Sequence, residues 1–545
     1  MKTFKKIAAV VLAATMIFSL SACKDDGTGA VLRYPIDEEP TCLDPQIVEG
    51  AAGKTTVINC FEGLVRYDEN GEIVPGVAQS WSYDSSSKTF TFTLRQDAKW
   101  MIMKKSFAPL LGEDCEKTFD NRVTANDFVF GFRRAVSAQT HAPEAASLYV
   151  IKNAKAVHEG KLDSSHLGVS ANGDYELKIT LENTSVSQDS FLALLTEPIC
   201  MPCNETFFNA TKGRYGLDFS TLLCNGPFYL SYWTREASLT LKANEVYKGN
   251  AEVKPASVTL FINNDNNSRL EKLLDGSYCA ASLGTVVADE STGLAVTKSY
   301  DTVWSLCFNC ADPALSNADL RRALCGSVDS QNIIMDSDDL QKTHSIIPLS
   351  CIVPQADMSS VPVTILGYDT KKAADRWSKA TEALSIGTVK LELICIPEHE
   401  TAMRHMIQSW QKTFGLGINV SITAVEREEL DDRVSSGDYQ IALAPVHADS
   451  SSASGFLQSL TSNGINNVFN FKSESFDSAV NKALSLSGGE QLKACRDAEA
   501  EFIVNGVALP LFCSPSYFAL GEGVSGLFVN PENSTVSFSA VTRED

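Results

Sequence analysis

Segments with strand-like and helix-like hydrophobic patterns alternate along this 545-residue chain, and the alternation limits the possible folds more than any other feature. Alternating apolar residues, typical of half-buried strands, occur in residues 89–94, 175–181, 238–242 and 389–394. Apolar residues with the spacing of a helix face occur in residues 127–135, 317–324 and 401–414, and a further helix is expected at 489–504. Because strands and helices follow one another without an internal repeat, we predict an α/β architecture.

The first residues have the pattern of a secretory signal. Three lysines precede an apolar run at 7–20, as in the charged and apolar regions of a signal peptide. The run is too short to cross a bilayer, which takes about 20 residues. It ends in Leu-Ser-Ala-Cys at 20–23, which resembles the bacterial lipobox, whose cysteine is acylated and becomes the new N-terminus. We therefore predict a signal peptide at 1–22 and lipidation of Cys23, the alternative being an ordinary signal peptide with a chance cysteine.

The remainder of the chain is expected to lie outside the membrane. Residues 24–30 are polar and contain glycine, so they form a flexible tether. No later stretch has the 18 apolar residues of a spanning helix, and the mature protein is expected to be soluble apart from its anchor. The net charge is −21, and −24 without the three lysines of the signal. Because such a surface repels phosphate backbones, we expect no nucleic-acid partner.

The cysteines allow several interpretations. Fifteen are present, of which 14 remain after lipidation of Cys23, and two CxxC motifs occur at 200–203 and 307–310. Neither motif has histidines at the spacing of a zinc site, so zinc binding would require the two motifs to converge. An even number of cysteines permits disulfides in an exported protein, although a chain of this size does not need them. We expect buried free thiols, and neither a metal nor a cofactor.

Short motifs occur in an order and at a spacing that are typical of one protein family. They are EPTCLDP at 39–45, FEGLV at 61–65, PGVAQSW at 75–81, LRQDAKW at 94–100, VTANDFV at 123–129, NGPF at 225–228, LRRAL at 320–324 and LPLF at 509–512. Together they make the chain resemble the family 5 extracellular solute-binding proteins, which are the substrate-binding subunits of peptide-import ABC transporters. The resemblance extends from about residue 33 to near the C-terminus, and residues 101–122 are an insertion between two motifs.

The resemblance implies a type II periplasmic-binding-protein-like fold, in which two α/β lobes are joined by a hinge and accompanied by an additional domain. The lobes of such proteins close around the ligand in a hinge motion. The implied boundaries are 1–22 for the signal peptide, 23–30 for the acylated cysteine and tether, 31–77 with 205–297 and 505–545 for lobe I, 78–204 for the additional domain with its insertion at 101–122, and 298–504 for lobe II.

The same resemblance points to Asp449 as a ligand contact. Residues 448–457, ADSSSASGFL, are similar to a family motif whose first aspartate pairs with the α-ammonium group of a bound peptide. Charge-assisted hydrogen bonds of this kind contribute about 1.5–3 kcal/mol each. A cleft that contacts only the charged ends and the backbone of a peptide can bind peptides of many sequences. The alternative is a loop aspartate that caps a turn in a serine-rich stretch.

Other positions also correspond to pocket residues of the family. The resemblance implies that Glu39 lines the pocket, that His399 lies near the carboxylate end of the ligand, and that Phe512 faces the ligand. The structural alternatives are that Glu39 is a surface charge, that His399 is a loop or helix-start residue, and that Phe512 is a core residue.

The chain departs from the peptide binders of the family around the motif aspartate. Val446 stands in place of a tryptophan, Ser450 in place of a tyrosine, and Leu443 in place of a basic residue. The usual aromatic stacking and one partner for a carboxylate are therefore missing. We expect Val446 to line the pocket, and besides a peptide the ligand could be a nickel complex, an opine, a sugar or haem.

The resemblance implies a lipid-anchored binding protein that captures a short peptide and delivers it to a permease with its ATPase subunit, and monomer is the family default. A lipoprotein that presents its ligand to a sensor is the alternative. We do not expect an enzyme. His399 and His405 are six residues apart, about 240° on a helix, so they cannot share a metal as the histidines of HExxH do. No GxSxG motif of an α/β-hydrolase occurs.

Overall fold

The computed structural model describes most of the chain after the predicted tether. The described residues are 29–182, 188–249, 252–283, 293–330, 333, 340–353, 355–448, 452–464, 466–530 and 533–544. The predicted signal peptide, Cys23 and Asp449 lie outside these residues. Within the described ranges, no helix is both long enough and apolar enough to span a membrane.

Strands and helices are interspersed from one end of the described chain to the other. In chain order, the strands are β1 (Val31–Ile36), β2 (Val65–Tyr67), β3 (Ile73–Pro75), β4 (Ala78–Asp84), β5 (Thr89–Leu94), β6 (Val169–Ala171), β7 (Glu176–Thr180), β8 (Phe228–Thr234), β9 (Ser238–Ala243), β10 (Ser257–Ile262), β11 (Ala280–Leu283), β12 (Ala295–Phe308), β13 (Gln341–Lys342), β14 (Val389–Cys395), β15 (Ile418–Ala424), β16 (Ile441–His447), β17 (Ala508–Leu520), β18 (Val524–Ser525), β19 (Phe528–Val529), β20 (Val536–Ser537) and β21 (Thr542–Arg543). The α-helices are α1 (Gly50–Cys60), α2 (Lys104–Leu111), α3 (Cys115–Thr118), α4 (Ala125–Ala135), α5 (Ala154–His158), α6 (Gln188–Leu194), α7 (Glu205–Thr211), α8 (Asn266–Leu274), α9 (Ala318–Gly326), α10 (Thr370–Leu384), α11 (Glu400–Phe414), α12 (Arg427–Ser436), α13 (Ala453–Ser459), α14 (Glu474–Leu484) and α15 (Gly488–Val504).

The predicted elements are present within two residues at either end, which confirms the α/β architecture. The predicted strands are β5, β7, β9 and β14, and the predicted helices are α4, α9, α11 and α15. Local capping explains one of these boundaries. The side chain of Asn317 accepts hydrogen bonds from the backbone N–H groups of Asp319 and Leu320, which satisfies donors that the first turn of a helix leaves unpaired. Helix α9 therefore begins at Ala318.

The sheets are buried in two large hydrophobic cores. The first core contains a four-stranded sheet of order β1-β10-β9-β8 and a second one of order β4-β5-β7-β6. The second core surrounds a sheet of order β11-β17-β12-β16-β14-β15, in which β13 also pairs with β17. The domain boundaries drawn from the sequence remain predictions.

The long strands β12 and β17 are shared between the second large core and a small separate core. They are antiparallel neighbours of 14 and 13 residues. Their pairing is interrupted between Ser299 and Thr302, where the register shifts, and an extra residue of this kind bends a strand and increases its twist. On one side of the shift the strands contribute to a small separate core with Tyr517 and Ala519. On the other side they lie within the second large core.

The insertion at 101–122 folds onto the first core. It forms α2 and α3, and the buried Phe107 packs edge-to-face against Phe207 at 4.8 Å between ring centroids. The backbone N–H of Trp100 donates to the carbonyl of Asn121 at 2.7 Å, so the two ends of the insertion lie side by side. The insertion therefore begins and ends at neighbouring positions, and the family motif that starts at Val123 follows it directly.

The cysteines of the described residues are free thiols. There are 14 of them, and all except Cys42 and Cys310 are buried. Burial raises the pKa of Cys203 and of Cys307, one from each CxxC motif, to about 12, so these thiols stay protonated. No group of three or more His, Cys, Asp or Glu side chains in the described part of the chain is arranged to hold a metal ion.

Candidate functional site

In the sheet of the second core, the chain reverses its winding direction at the carboxyl ends of three strands. Strand β14 lies between β15 and β16 and is parallel to both. From β14 the chain passes through α11 to β15 on one side, and then through α12 to β16 on the other. Ligands of open α/β sheets bind where the winding direction reverses in this way, outside the carboxyl ends of the strands. We refer to the residues that follow β14, β15 and β16 as the switch-point crevice.

An aromatic cluster of Trp304, His399 and Phe512 borders this crevice; Trp304 and Phe512 are buried in the second core and His399 is half-buried. His399 follows β14 directly before α11, and its ring contacts Trp304 edge-to-face at 4.7 Å and Phe512 at 5.4 Å between centroids. Trp304 and Phe512 stack at 5.9 Å with planes 16° apart. Burial lowers the pKa of His399, so its imidazole stays neutral at pH 7. The structure thus brings together His399 and Phe512, two of the residues singled out from the sequence.

The pairing of β12 with β17 places Trp304 in the cluster. Trp304 lies directly opposite Phe512 in the register of the two strands, and opposite residues of an antiparallel pair project from the same face. Its indole N–H donates to the hydroxyl of Ser514 at 3.2 Å. Trp304 was not singled out from the sequence because its partner is more than 200 residues away.

A guanidinium lies beside the aromatic cluster. Arg427 is the first residue of α12, directly after the turn that follows β15. Its guanidinium carbon is 5.3 Å from the centroid of the Trp304 ring, within the range of a cation–π contact. Its Nε donates to Asp431 at 2.7 Å, and its Nη2 is 3.3 Å from Nε2 of His447. Arg427 was also missed from the sequence.

His447 connects Arg427 to the bend in β12. Arginine can only donate hydrogen bonds, so Nε2 of His447 is the acceptor and the proton resides on Nδ1. That proton is donated to the hydroxyl of Thr302 at 2.9 Å, and the hydroxyl in turn donates to Asp301 at 3.0 Å. Asp301 also accepts from Ser516 of β17 at 2.7 Å. Burial and the neighbouring Arg427 lower the pKa of His447, which favours this neutral form.

The backbone on both sides of Asp449 is held by hydrogen bonds. The N–H of Ala448 donates to the carbonyl of Asp301 at 2.8 Å. Beyond residues 449–451, the hydroxyl of Ser452 accepts from the N–H of Gly455 at 3.4 Å at the start of α13. Asp449 itself lies outside the described residues. Its role as a ligand contact stays a prediction.

Glu39 and Val446 lie outside the aromatic cluster. The carboxylate of Glu39 accepts from the indole of Trp233 at 2.8 Å and from the backbone of Glu236 at 3.0 Å, which places it against the turn between β8 and β9. Val446 is buried opposite Val303, so it projects from the face of β16 opposite to that of its neighbour Pro445. A pocket-lining role for either residue stays a prediction.

Comparisons with known proteins show the family to which the chain belongs. The family model described as "Bacterial extracellular solute-binding proteins, family 5 Middle" matches residues 72–467. The oligopeptide-binding protein OppA of Bacillus subtilis is 25% identical in an alignment of 570 positions, gaps included, that covers 97% of each chain. The probable deoxycholate-binding periplasmic protein YgiS of Escherichia coli is 26% identical over 522 residues, which cover 92% of each chain.

A solved structure has the same fold. Listeria monocytogenes OppA bound to peptide superimposes with a TM-score of 0.75 at 21% identity, covering 95% of this chain and 100% of that one. At this identity the likeness shows the fold alone. The expected type II periplasmic-binding-protein-like fold, with two hinged lobes and an additional domain, is thereby confirmed.

Proposed function

This chain belongs to the bacterial extracellular solute-binding proteins of family 5, and on that premise we propose that it captures short peptides and delivers them to the permease of an ABC importer. The observation that carries the proposal is the switch-point crevice. An aromatic cluster, a guanidinium and the segment leading to Asp449 meet there at the ends of parallel strands. Two relatives are named as oligopeptide-binding and dipeptide-binding proteins and align with 97% of the chain.

Asp449 is the proposed anchor for the positive end of the peptide. In the sequence it comes two residues after β16, and ligands of open α/β sheets bind outside the carboxyl ends of the strands. An ammonium group donates up to three hydrogen bonds, and a carboxylate accepts without changing its charge state. The peptide would thus be held through its α-ammonium group, which is present whatever the peptide's sequence.

Replacing Asp449 by alanine should weaken peptide binding at least tenfold. One lost charge-assisted hydrogen bond costs at least about 1.4 kcal/mol, which is a factor of ten in Kd. Isothermal titration of the mature chain with di- to pentapeptides measures the change, and Asp432→Ala, at an exposed position on α12, is the control. Equal Kd values for Asp449→Ala and the wild type would reject the ammonium anchor, as would equal binding of N-acetylated and free peptides.

We also propose that the protein is a monomer held at the outer face of the cell membrane through acylated Cys23. The support is the cysteine at the end of an apolar run and the strength of multiple acyl chains as an anchor. Cys23→Ser should move the protein from the membrane fraction to the soluble fraction of the producing cells. Retention of the variant in membranes, at the level of the wild type, would disprove the lipid anchor.

A non-peptide solute is the second candidate ligand. One relative is named as a probable deoxycholate-binding protein, and stacked apolar rings beside a guanidinium would also suit an amphipathic carboxylate. Nickel complexes, opines, sugars and haem, and the presentation of a ligand to a sensor, remain further alternatives. A non-peptide solute that binds the mature chain while all peptides fail would favour this second candidate.

A further inference from the structure

A chain of hydrogen bonds leads from the bend in β12 to the end of β16. At the bend, the hydroxyl oxygens of Ser299 and Ser516 are 2.6 Å apart, and Ser516 donates to the carboxylate of Asp301 at 2.7 Å. The same carboxylate accepts from the hydroxyl of Thr302 at 3.0 Å. Thr302 in turn accepts from Nδ1 of His447 at 2.9 Å. The side chains at the bend are therefore connected to the last residue of β16.

His447 extends this chain to Arg427 beside the aromatic cluster. Nη2 of Arg427 is 3.3 Å from Nε2 of His447, and the guanidinium carbon is 5.3 Å from the centroid of the Trp304 ring. Because arginine can only donate, His447 accepts from Arg427 on one side and donates to Thr302 on the other. We refer to the hydrogen bonds that run from Ser299 to Arg427 as the relay. Its continuity depends on one ring that accepts at Nε2 and donates at Nδ1.

Only the neutral form of His447 completes the relay. A proton on Nε2 would make the ring a donor on both sides, so that two donors and two positive charges would meet across the 3.3 Å to Arg427. Among the described residues, the charged groups that face the ring are Arg427 and Asp431 of α12 and Asp301 of β12. Both carboxylates attract the proton, but Asp431 already accepts from Arg427 and Asp301 from Thr302. Protonation of His447 therefore requires Arg427 to move away.

The ring of His447 can exchange its proton with the solvent. His447 is exposed at the end of β16, and histidine is the side chain whose charge changes most readily between about pH 5 and 8. Desolvation by the surrounding protein and the neighbouring Arg427 lower its pKa from the usual value of 6.5. The relay is therefore intact at neutral pH and is interrupted only in more acidic solution.

Backbone hydrogen bonds hold the same bend. The carbonyl of Asp301 accepts from the N–H of Ala448 at 2.8 Å, and the carbonyl of Tyr300 accepts from the N–H of Ser350 at 3.0 Å. On one side of the bend, β12 and β17 lie in the small core, and on the other side they lie in the second large core. Because an irregularity of this kind sets the direction and twist of a strand, a change at the bend alters how the two parts are oriented.

We propose that the relay makes cargo binding dependent on pH: neutral His447 holds the bend and Arg427 in the arrangement that binds cargo, and its protonation releases both. The inference rests on the proposed function and adds the regulation of the same site. His447 is a positioning residue in this scheme and need not touch the cargo. Because cargo that prefers the neutral ring opposes its protonation, affinity is constant above the pKa of His447 and falls below it. One linked proton limits the fall to about tenfold for each pH unit.

Isothermal titration with alanine peptides of two to five residues measures this dependence, because their termini keep their charges between about pH 5 and pH 7. In the wild type, Kd should rise by about threefold to thirtyfold from pH 7 to pH 5. In His447→Gln it should stay constant, since glutamine can accept from Arg427 but does not titrate. Other groups that titrate in this range, such as Asp127 with a pKa of about 6, are common to both proteins. The same rise of Kd in both would overturn the proposal.

Variants of neighbouring residues identify the responsible ring. His405→Gln removes an exposed histidine of α11 and should keep the wild-type pH profile. His399→Gln removes the ring against Trp304, whose pKa burial also lowers, and the pH dependence should persist in it. Arg427→Gln should move the midpoint of the profile to higher pH, because it removes a charge that opposes protonation; a merely structural role would not produce this shift. If the dependence is lost in His399→Gln and kept in His447→Gln, the relay is not the switch.

Amide hydrogen exchange of the cargo-free protein distinguishes this inference from the proposed function. After correction for the intrinsic effect of pH, the amides of Ala448 and Ser350 should lose about threefold or more of their protection from pH 7 to pH 5 in the wild type and none in His447→Gln. If the peptides bind the wild type equally at both pH values, the inference is rejected and peptide capture stands. If no peptide binds at either pH, peptide capture fails, and exchange alone decides on the relay: equal protection at both pH values rejects it.

Discussion

Replacing Glu499 by alanine should lower the free energy of unfolding by about 3–5 kcal/mol, the usual cost of removing one partner from a buried ion pair. Glu499 lies on α15 and is 0% exposed. Its carboxylate accepts from the Ser345 hydroxyl at 2.5 Å and from the Ile346 N–H at 2.9 Å, and it pairs with Arg496 at 2.6 Å. Alanine would leave Arg496 charged and buried without its counter-ion, and would leave the loop at 345–347 without its acceptor.

Urea unfolding followed by circular dichroism measures this loss. Asp497→Ala is the matched control, because it removes an exposed carboxylate from the same helix, and it should change the unfolding free energy by less than about 0.5 kcal/mol. Glu499→Gln should lie between the two, since glutamine can accept a hydrogen bond but cannot balance the charge of Arg496. Equal stabilities of Glu499→Ala and Asp497→Ala would show that the buried pair contributes nothing.

The strands and helices that could be predicted are those whose apolar residues recur with a regular period in the sequence. Strand β5 alternates threonine with apolar residues, and its burial alternates accordingly, so the period alone identified it. Helix α11 buries Met403, Met406 and Trp410 because these residues recur on one face. Such elements are stabilised by side chains that are neighbours in the sequence, and they could be located without knowing what they pack against.

The missed part of the site depends on contacts between distant segments. Trp304 meets Phe512 through strand pairing between positions that are 208 apart in the sequence, and no local pattern encodes that register. Arg427 and His447 meet because two consecutive parallel strands end at the same edge of the sheet. A usable signal was present in the apolar run at 441–446, which His447 follows. Interpreted as a buried strand, it would have pointed to His447 as the residue at its carboxyl end.

The motifs that identified the family are largely structural in this chain. Glu62 of FEGLV pairs with Arg95 of LRQDAKW at 2.7 Å, and Asn225 of NGPF binds the backbone N–H and carbonyl of Glu62 at 3.1 and 2.9 Å. Arg95 also donates to the carbonyl of Gly76 in PGVAQSW at 2.9 Å. Four motifs that are separate in the sequence therefore meet around the buried Glu62 and Arg95. Their presence together indicates the fold more strongly than the ligand.

Replacing Arg95 by methionine should destabilise the protein by about 3–5 kcal/mol at neutral pH. The carboxylate of Glu62 would remain buried with the hydroxyl of Tyr247 but without its nearest counter-ion. Arg122→Met is the control, because that arginine is 45% exposed and pairs with Asp120 on the surface, where such pairs contribute at most about 1 kcal/mol. Thermal and urea unfolding of both variants measure the difference.

The pH dependence of the Arg95→Met deficit tests its cause. Burial raises the pKa of Glu62, and Arg95 is the largest influence that opposes this rise, so the variant should hold the proton to a higher pH. A carboxyl whose pKa is raised on folding binds more protons when folded than when unfolded, and it therefore costs stability as the pH rises through its folded pKa. This cost extends further in the variant, so its deficit relative to the wild type should be larger at pH 8 than at pH 5. If the deficit were the same at both pH values, the lost stability would come from packing and from the bond to Gly76 rather than from an unpaired buried charge.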